Sequence, residues 1–277
     1  MVGGVAGAAL GSLGGPPGMV AGGVGGVAVS RVLKTVGGAI IRRRLESRQE
    51  NRAGAAFYTA YSRISARILS GDALRDDGFF EPDATPMGRS PAEEILEGTL
   101  RAAANEHEER KVRFLGAFWG NLPFRADVSR SSANFLLHLA ERLTWRQFVL
   151  LARSGRSTDR QAADLRAELD RRFDDETATD PGIASELDEL ATLGLVSRPQ
   201  RSLLGRSDGD EVGQPISYAE RGVAEPKLTA LGQQLFELLS LEDVAQEDIL
   251  NTIADTANYR RTPGSVRPQR PSHRRPR

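Results

Sequence analysis

Apolar residues recur three or four positions apart over most of the chain, and this spacing predicts a mainly α-helical protein. One amphipathic helix is predicted over residues 45–69, with arginines opposite its apolar face. Residues 70–91 are rich in glycine and proline and predict a loop. The apolar face of the helix consists of Phe57, Tyr61, Ile64 and Ile68.

A long helix is predicted from Pro91 towards Trp119. Ser90 provides an N-cap, proline occupies the first helical position and acidic residues fill the first turn. Further helices are predicted over 131–142, with Phe135 among its apolar residues, and directly after Thr144. The apolar stripe of the long helix is Leu96, Leu100, Ala103, Phe114 and Phe118.

The region 144–240 has the element order of a winged helix: three helices, a strand, a long hairpin and a closing helix. The third helix ends at Gly194, a residue suited to a C-cap, and Leu195–Val196 continue as a short strand. The closing helix is capped by Thr229. The expected fold is therefore mainly α, with an N-terminal glycine-rich helical hairpin, a helical body and a C-terminal winged-helix-like α+β region.

Two features of this region argue against DNA recognition. The segment DDETATDP at 174–181 is longer and more acidic than the turn of a helix-turn-helix. The helix in the recognition position carries Glu186, Asp188 and Glu189 and no basic residue, so it would repel phosphate. A winged-helix transcriptional regulator is therefore the alternative function rather than the leading one.

Glycines near the N-terminus repeat at every fourth position. This period places each row along one face of a helix, where missing side chains allow another backbone to approach closely. The rows predict helix packing and a homo-oligomer, and the alternative is a disordered glycine-rich linker. The first row is Gly3, Gly7, Gly11 and Gly15; the second is Gly14, Gly18, Gly22 and Gly26, extended by Ser30.

Residues 1–41 are the predicted membrane contact. Residues 2–30 carry no charge, but Pro16 and Pro17 divide them into two segments of about 13 residues. Each segment would span about 20 Å as a helix, less than a hydrocarbon core of ~30 Å, so a helical hairpin is expected. The arginines that follow indicate the cytoplasmic side of a membrane: Arg42, Arg43, Arg44, Arg48 and Arg52.

The net charge is zero, so no overall field indicates a nucleic-acid partner. Arginines but no acidic residue follow Asp255, and the tail 259–277 is expected to be disordered and to bind anionic lipid or nucleic acid without sequence specificity. The chain has no cysteine, which excludes disulfides and thiolate chemistry. No basic region precedes the apolar N-terminus, as a cleaved signal peptide would require.

No catalytic, metal-binding or cofactor-binding motif is complete. HEERK at 107–111 begins like the zinc motif HExxH, but Lys111 stands where the second histidine is required. His107 is therefore interpreted as packing near the apolar stripe. GVGGVA at 23–28 is similar to a dinucleotide-binding loop, but no strand precedes it. The sequence predicts a protein that is not an enzyme and has no cofactor and no small-molecule substrate.

The glycine rows between Gly3 and Gly26, together with Leu190–Val196 and Leu228–Leu239, resemble the Abi-alpha type of bacterial abortive-infection proteins. The resemblance implies a phage-defence or toxin-like role and supplies no catalytic residue. The two C-terminal segments also resemble the ending of MarR-type regulators.

Four regions are expected. They are a glycine-zipper segment at 1–41, a helical body at 42–143, a winged-helix-like domain at 144–258 and an arginine- and proline-rich tail at 259–277. The expected function is a non-enzymatic, membrane-associating and self-oligomerising protein that is cytoplasmic and attached to the membrane.

Overall fold

A computed structural model describes residues 24–41, 46–84, 88–156, 181–198 and 226–258. These residues form nine α-helices and no β-strand, which confirms the mainly helical prediction. Short 3-10 turns follow the fourth and eighth helices, at Leu122–Phe124 and Leu241–Asp243. The helices are α1 Val24–Ile41, α2 Ser47–Leu69, α3 Pro91–Asn105, α4 Glu109–Asn121, α5 Arg130–Arg142, α6 Trp145–Arg156, α7 Pro181–Thr192, α8 Ala230–Leu239 and α9 Gln246–Asn258.

The predicted helix starts at α3 and α8 are confirmed by their caps. The Ser90 hydroxyl accepts a hydrogen bond from the Glu93 backbone N–H at 3.2 Å, and the Glu93 carboxylate accepts one from the Ser90 N–H at 3.0 Å. This reciprocal capping box satisfies two donors that a helix start leaves free. At α8 the Thr229 hydroxyl accepts from the Gly232 N–H at 3.0 Å.

The prediction of one long helix from 91 to 119 is wrong, because the chain leaves the helix between Asn105 and Glu109. Glu106 is extended, with φ −68° and ψ 127°, and its carboxylate is buried. The interpretation of His107 as a packing residue is also wrong, since its side chain is 90% exposed. Phe135 is 51% exposed and lies outside the core that the rest of α5 joins.

Helices α2, α3 and α4 pack against one another around Phe57, Leu96 and Phe118. Helix α1 packs on α3 and buries one apolar face. The core continues into α6, α7, α8 and α9 without interruption. The buried face of α1 consists of Val29, Val32, Leu33 and Val36.

Helices α2 and α4 touch backbone to backbone. A Cβ atom added to Gly116 would lie 2.3 Å from the carbonyl oxygen and 2.9 Å from the Cα of Ala56. One added to Gly120 would lie 3.2 Å from the Cα of Ala60. Glycines four residues apart on α4 therefore face alanines four residues apart on α2, and the two helices run in the same direction.

Asn121 joins the end of α4 to the end of α8. Its side-chain amide lies 3.2 Å from the Glu237 carbonyl oxygen, 2.9 Å from that of Leu238 and 2.8 Å from the Ser240 hydroxyl. Ser240 has a left-handed backbone, with φ 55°. Asn121 thus supplies donors to carbonyls that the last turn of α8 leaves without a helical partner.

In the C-terminal region, Gly194 ends α7 with φ +73°, as the predicted C-cap requires. A single antiparallel bridge between Val196 and Leu228 follows, in place of the predicted strand. Helix α9 was not predicted. Three predicted elements lie outside the described residues: the second helix of the winged-helix order, the long hairpin that follows the short strand, and the tail 259–277.

We expect Gly116→Ala to lower the free energy of unfolding by about 1–3 kcal/mol, because a methyl group here forces two backbones apart. Gly98→Ala in α3 is the matched control, since its Cβ meets only the Leu137 Cδ2 atom, at 3.1 Å. That change should be tolerated, because alanine favours a helix over glycine. Urea unfolding measures both, and equal stability of the two variants contradicts the close contact.

Candidate functional site: an arginine-lined groove

A groove of about 600 Å³ lies between α2, α4, the start of α6 and α9. Arginines four apart on α2 and three apart on α4 fall on the faces that border it. Two carboxylates and one indole ring complete its charged and aromatic lining. These residues are Arg48, Arg52, Glu109, Arg110, Arg113, Trp145 and Asp248.

The groove has more positive than negative charge. Arg52 lies 3.6 Å from the Glu109 carboxylate, and Arg110 lies 3.1 Å from that of Asp248. Arg48 and Arg113 have no carboxylate within 4.0 Å among the residues that the structure describes. Arg113 lies over the Phe114 ring, 4.5 Å from its centroid, so the charges of Arg48 and Arg113 are not neutralised by a described carboxylate and can attract an anion.

Two hydrogen-bond donors of the lining have no acceptor within the described part of the chain. They are the Nε of Arg52 and the indole Nε1 of Trp145, and both atoms are buried. Trp145 as a whole is only 9% exposed. A buried donor without an acceptor costs about 1–3 kcal/mol, and such groups are rare in native proteins. The lining of the groove is therefore short of acceptors.

A buried ion pair lies beside the groove, at the break between α3 and α4. The Lys111 Nζ is 2.5 Å from the Glu106 Oε2, with the two side chains 2% and 6% exposed. Lys111 also donates to the Glu141 carbonyl at 3.3 Å, and Glu106 accepts from the Glu108 N–H at 2.9 Å. Lys111, which interrupts the zinc motif in the sequence, is therefore the counter-ion of Glu106.

Glu108 connects this break to the groove. Its Oε2 accepts a hydrogen bond of 2.8 Å from the backbone N–H of Trp145, the first residue of α6. A carboxylate at a helix N-terminus is favoured because it meets free N–H groups and the positive end of the helix dipole. The irregular turn thereby holds the start of α6, which Thr144 and Gln147 also cap with reciprocal hydrogen bonds of 2.9 and 3.2 Å.

Glu106, His107 and Glu108 also bring three potential metal ligands within 4.8 Å of one another. Glu106 is already paired with the Lys111 ammonium, which repels a cation. Glu108 is engaged by the start of α6. The cluster is explained by the turn that it stabilises.

The structure places Arg48 and Arg52, two of the five predicted membrane-proximal arginines, in the groove. Arg42, Arg43 and Arg44 lie outside the described residues, as do all the glycines of the two rows except Gly26, which is in the first turn of α1. Sequence reasoning missed Arg110, Arg113 and Trp145. The spacing of Arg110 and Arg113 places them on one face of a helix, but nothing in the pattern indicates which face of α2 they meet.

Of the helices described, none combines the length and the hydropathy that a bilayer crossing requires. Comparisons of the chain with protein-family models, with curated proteins and with solved structures found no match.

Lys111→Met should destabilise the protein by about 3–5 kcal/mol, because it leaves the Glu106 carboxylate buried without a counter-ion. The double variant Glu106→Gln/Lys111→Met should recover most of this loss, since a neutral amide still accepts the Glu108 N–H. Urea midpoints of both variants and of Glu106→Gln alone measure the effect. A Lys111→Met protein as stable as the parent refutes the role of this pair.

Proposed function

We propose that this protein is a non-enzymatic, self-associating protein that attaches to anionic membranes at the cytoplasmic face. The observation that supports it best is the groove in which Arg48 and Arg113 lack carboxylate partners among the described residues. An arginine close to an anionic leaflet contributes about 1 kcal/mol of attraction.

The position of the groove along the chain supports the same proposal. Arg48 lies in the first turn of α2, directly after the arginines at 42–44 and the glycine-rich segment. The apolar residues of α1 from Val29 to Val36 are buried in the body, so they are not available to lipid. The proposed contact therefore combines residues before α1 with a basic face of the folded body, and the Arg-rich tail 259–277 reinforces it.

The glycine rows are the proposed means of self-association. The proposed biological role, a phage-defence or toxin-like effector, rests on the resemblance to the Abi-alpha type of abortive-infection proteins.

We expect Arg48→Gln/Arg113→Gln to reduce partitioning onto vesicles of phosphatidylglycerol and phosphatidylcholine by about thirtyfold, because two surface charges of about 1 kcal/mol each are lost. Arg142→Gln/Lys227→Gln is the matched control, since both of these residues are exposed and lie outside the groove. Co-sedimentation at low and high salt measures the partitioning. Full-length protein that stays in the supernatant with anionic vesicles disproves the membrane proposal.

Self-association has a separate test. Replacing Gly7, Gly11, Gly22 and Gly26 with leucine adds bulk along both rows, and we expect the cross-linked oligomer to disappear. Leucine at Gly4, Gly23 and Gly25, which lie off the rows, is the control and should leave the oligomer in place. Identical cross-linking patterns for the two variants contradict packing through the rows.

The second candidate function is a winged-helix DNA-binding regulator. The order of α7, the Val196–Leu228 bridge and α8 favours it. The packing of α7 opposes it, because Glu186 pairs with Arg146 at 2.7 Å and Glu189 accepts from Gln147 at 2.8 Å. An acidic helix is thereby fixed where a recognition helix would be. Sequence-specific retardation of DNA at physiological salt by a chain ending at Ala257 would replace the membrane proposal with this one.

A further inference from the structure

We propose that the groove is a discrete binding site for a phosphomonoester group rather than a diffuse basic surface. The inference rests on the same groove as the proposed function and names the chemical group that it takes. A membrane is one source of such a group, as a lipid headgroup, and a soluble phosphate compound is the other.

The Arg52 side chain is largely withdrawn from water. It is 18% exposed, whereas that of Glu109, its partner, is 72% exposed. Their separation of 3.6 Å is beyond the 2.7–3.2 Å of a normal N–H···O hydrogen bond. The Arg52 Nη1 also lies 3.5 Å from the Ala104 carbonyl oxygen, which is a neutral acceptor. The Arg52 charge thus has no close counter-ion, which strengthens its attraction for an anion that enters the groove.

The groove lining also has donors without acceptors. Arg48 and Arg113 have no carboxylate partner among the described residues, although Arg113 lies over the Phe114 ring. The Arg52 Nε and the Trp145 Nε1 are buried and have no acceptor there. A terminal phosphate offers three oxygens and up to two negative charges. The planar guanidinium matches two of those oxygens at once, in the geometry that makes arginine a preferred phosphate ligand.

Charges of both signs line the groove. Glu109 and Asp248 lie in the same lining as the four arginines, so the positive charge is local. A long polyanion such as DNA would have to pass these carboxylates. A compact dianion needs contact with the arginines only, and a volume of about 600 Å³ is in the range of small-ligand sites. A phosphodiester has one charge and two substituents, so it suits the site less well.

Isothermal titration of the full-length protein with inorganic phosphate and with glycerol 3-phosphate, at constant ionic strength, tests the site. We expect both to bind and Arg52→Lys to weaken binding by about tenfold or more, because lysine keeps the charge but has no Nε and no planar fork. Trp145→Phe removes the other unmatched donor and should also weaken binding. Arg142→Gln/Lys227→Gln should bind as the parent does.

Vesicles of equal surface charge identify the source of the phosphate. Phosphatidic acid is a monoester and phosphatidylglycerol is a diester. If the parent protein prefers phosphatidic acid and Arg52→Lys loses this preference, the result supports the site with a lipid headgroup as its ligand. Binding of glycerol 3-phosphate without a preference between these lipids supports the site with a soluble ligand.

Three results would overturn the inference, and none of them is the result that overturns the membrane proposal. The first is that neither phosphate compound binds to the parent protein. The second is that the parent, Arg52→Lys and Trp145→Phe bind phosphate equally well. The third is that Arg52→Lys and the control variant weaken binding by the same factor. If any of these results is found but the protein still sediments with all anionic vesicles, the membrane proposal remains intact. Phosphate binding without sedimentation leaves the site intact and removes the membrane proposal.

Discussion

The contact of α2 with α4 organises both the core and the arginine-lined groove of the described structure. Gly116 and Gly120 bring the α4 backbone onto Ala56 and Ala60, and the helices run in the same direction. The preceding turns of both helices carry the groove arginines, so the same approach that closes the core also brings like charges together. Glu109 and Asp248 pair with Arg52 and Arg110, which offsets part of the repulsion among these charges.

The break between α3 and α4 is the second constraint. It concerns which conformation the chain adopts rather than how stable the fold is. A buried ion pair contributes little net stability, because desolvating two charges offsets most of their attraction. Removing either partner is costly, however, and the Glu106–Lys111 pair forms where the Glu106 backbone is extended. In the same turn, Glu108 accepts a hydrogen bond from the first N–H of α6. The turn thereby joins the end of α3 to the helix that carries Trp145.

Helix positions and caps could be predicted from the sequence, because apolar spacing and capping residues are local signals. As expected, Ser90 and Thr229 cap the starts of α3 and α8, and Gly194 follows the end of α7. The break at Glu106 could not be predicted, since Glu106 pairs with Lys111 on the next helix rather than with a residue of its own helix. Glycine spacing of four is also ambiguous, because it indicates close packing without specifying the partner. In the described body, the glycines that admit another backbone are Gly116 and Gly120 on α4, which are four residues apart, and Gly232 on α8, which belongs to no such row. The groove depends on which helix faces meet, and periodicity does not specify that.

Asn121 has a kinetic consequence. Its amide serves acceptors near residue 240, more than a hundred positions further along the chain, so the end of α4 is complete only after α8 has been synthesised. Contacts this distant in sequence slow folding, because a long loop must close before they form. During synthesis, the apolar surface of α4 that α8 covers therefore stays exposed until α8 has left the ribosome. Exposed apolar surface of this kind makes a partly synthesised chain prone to aggregation.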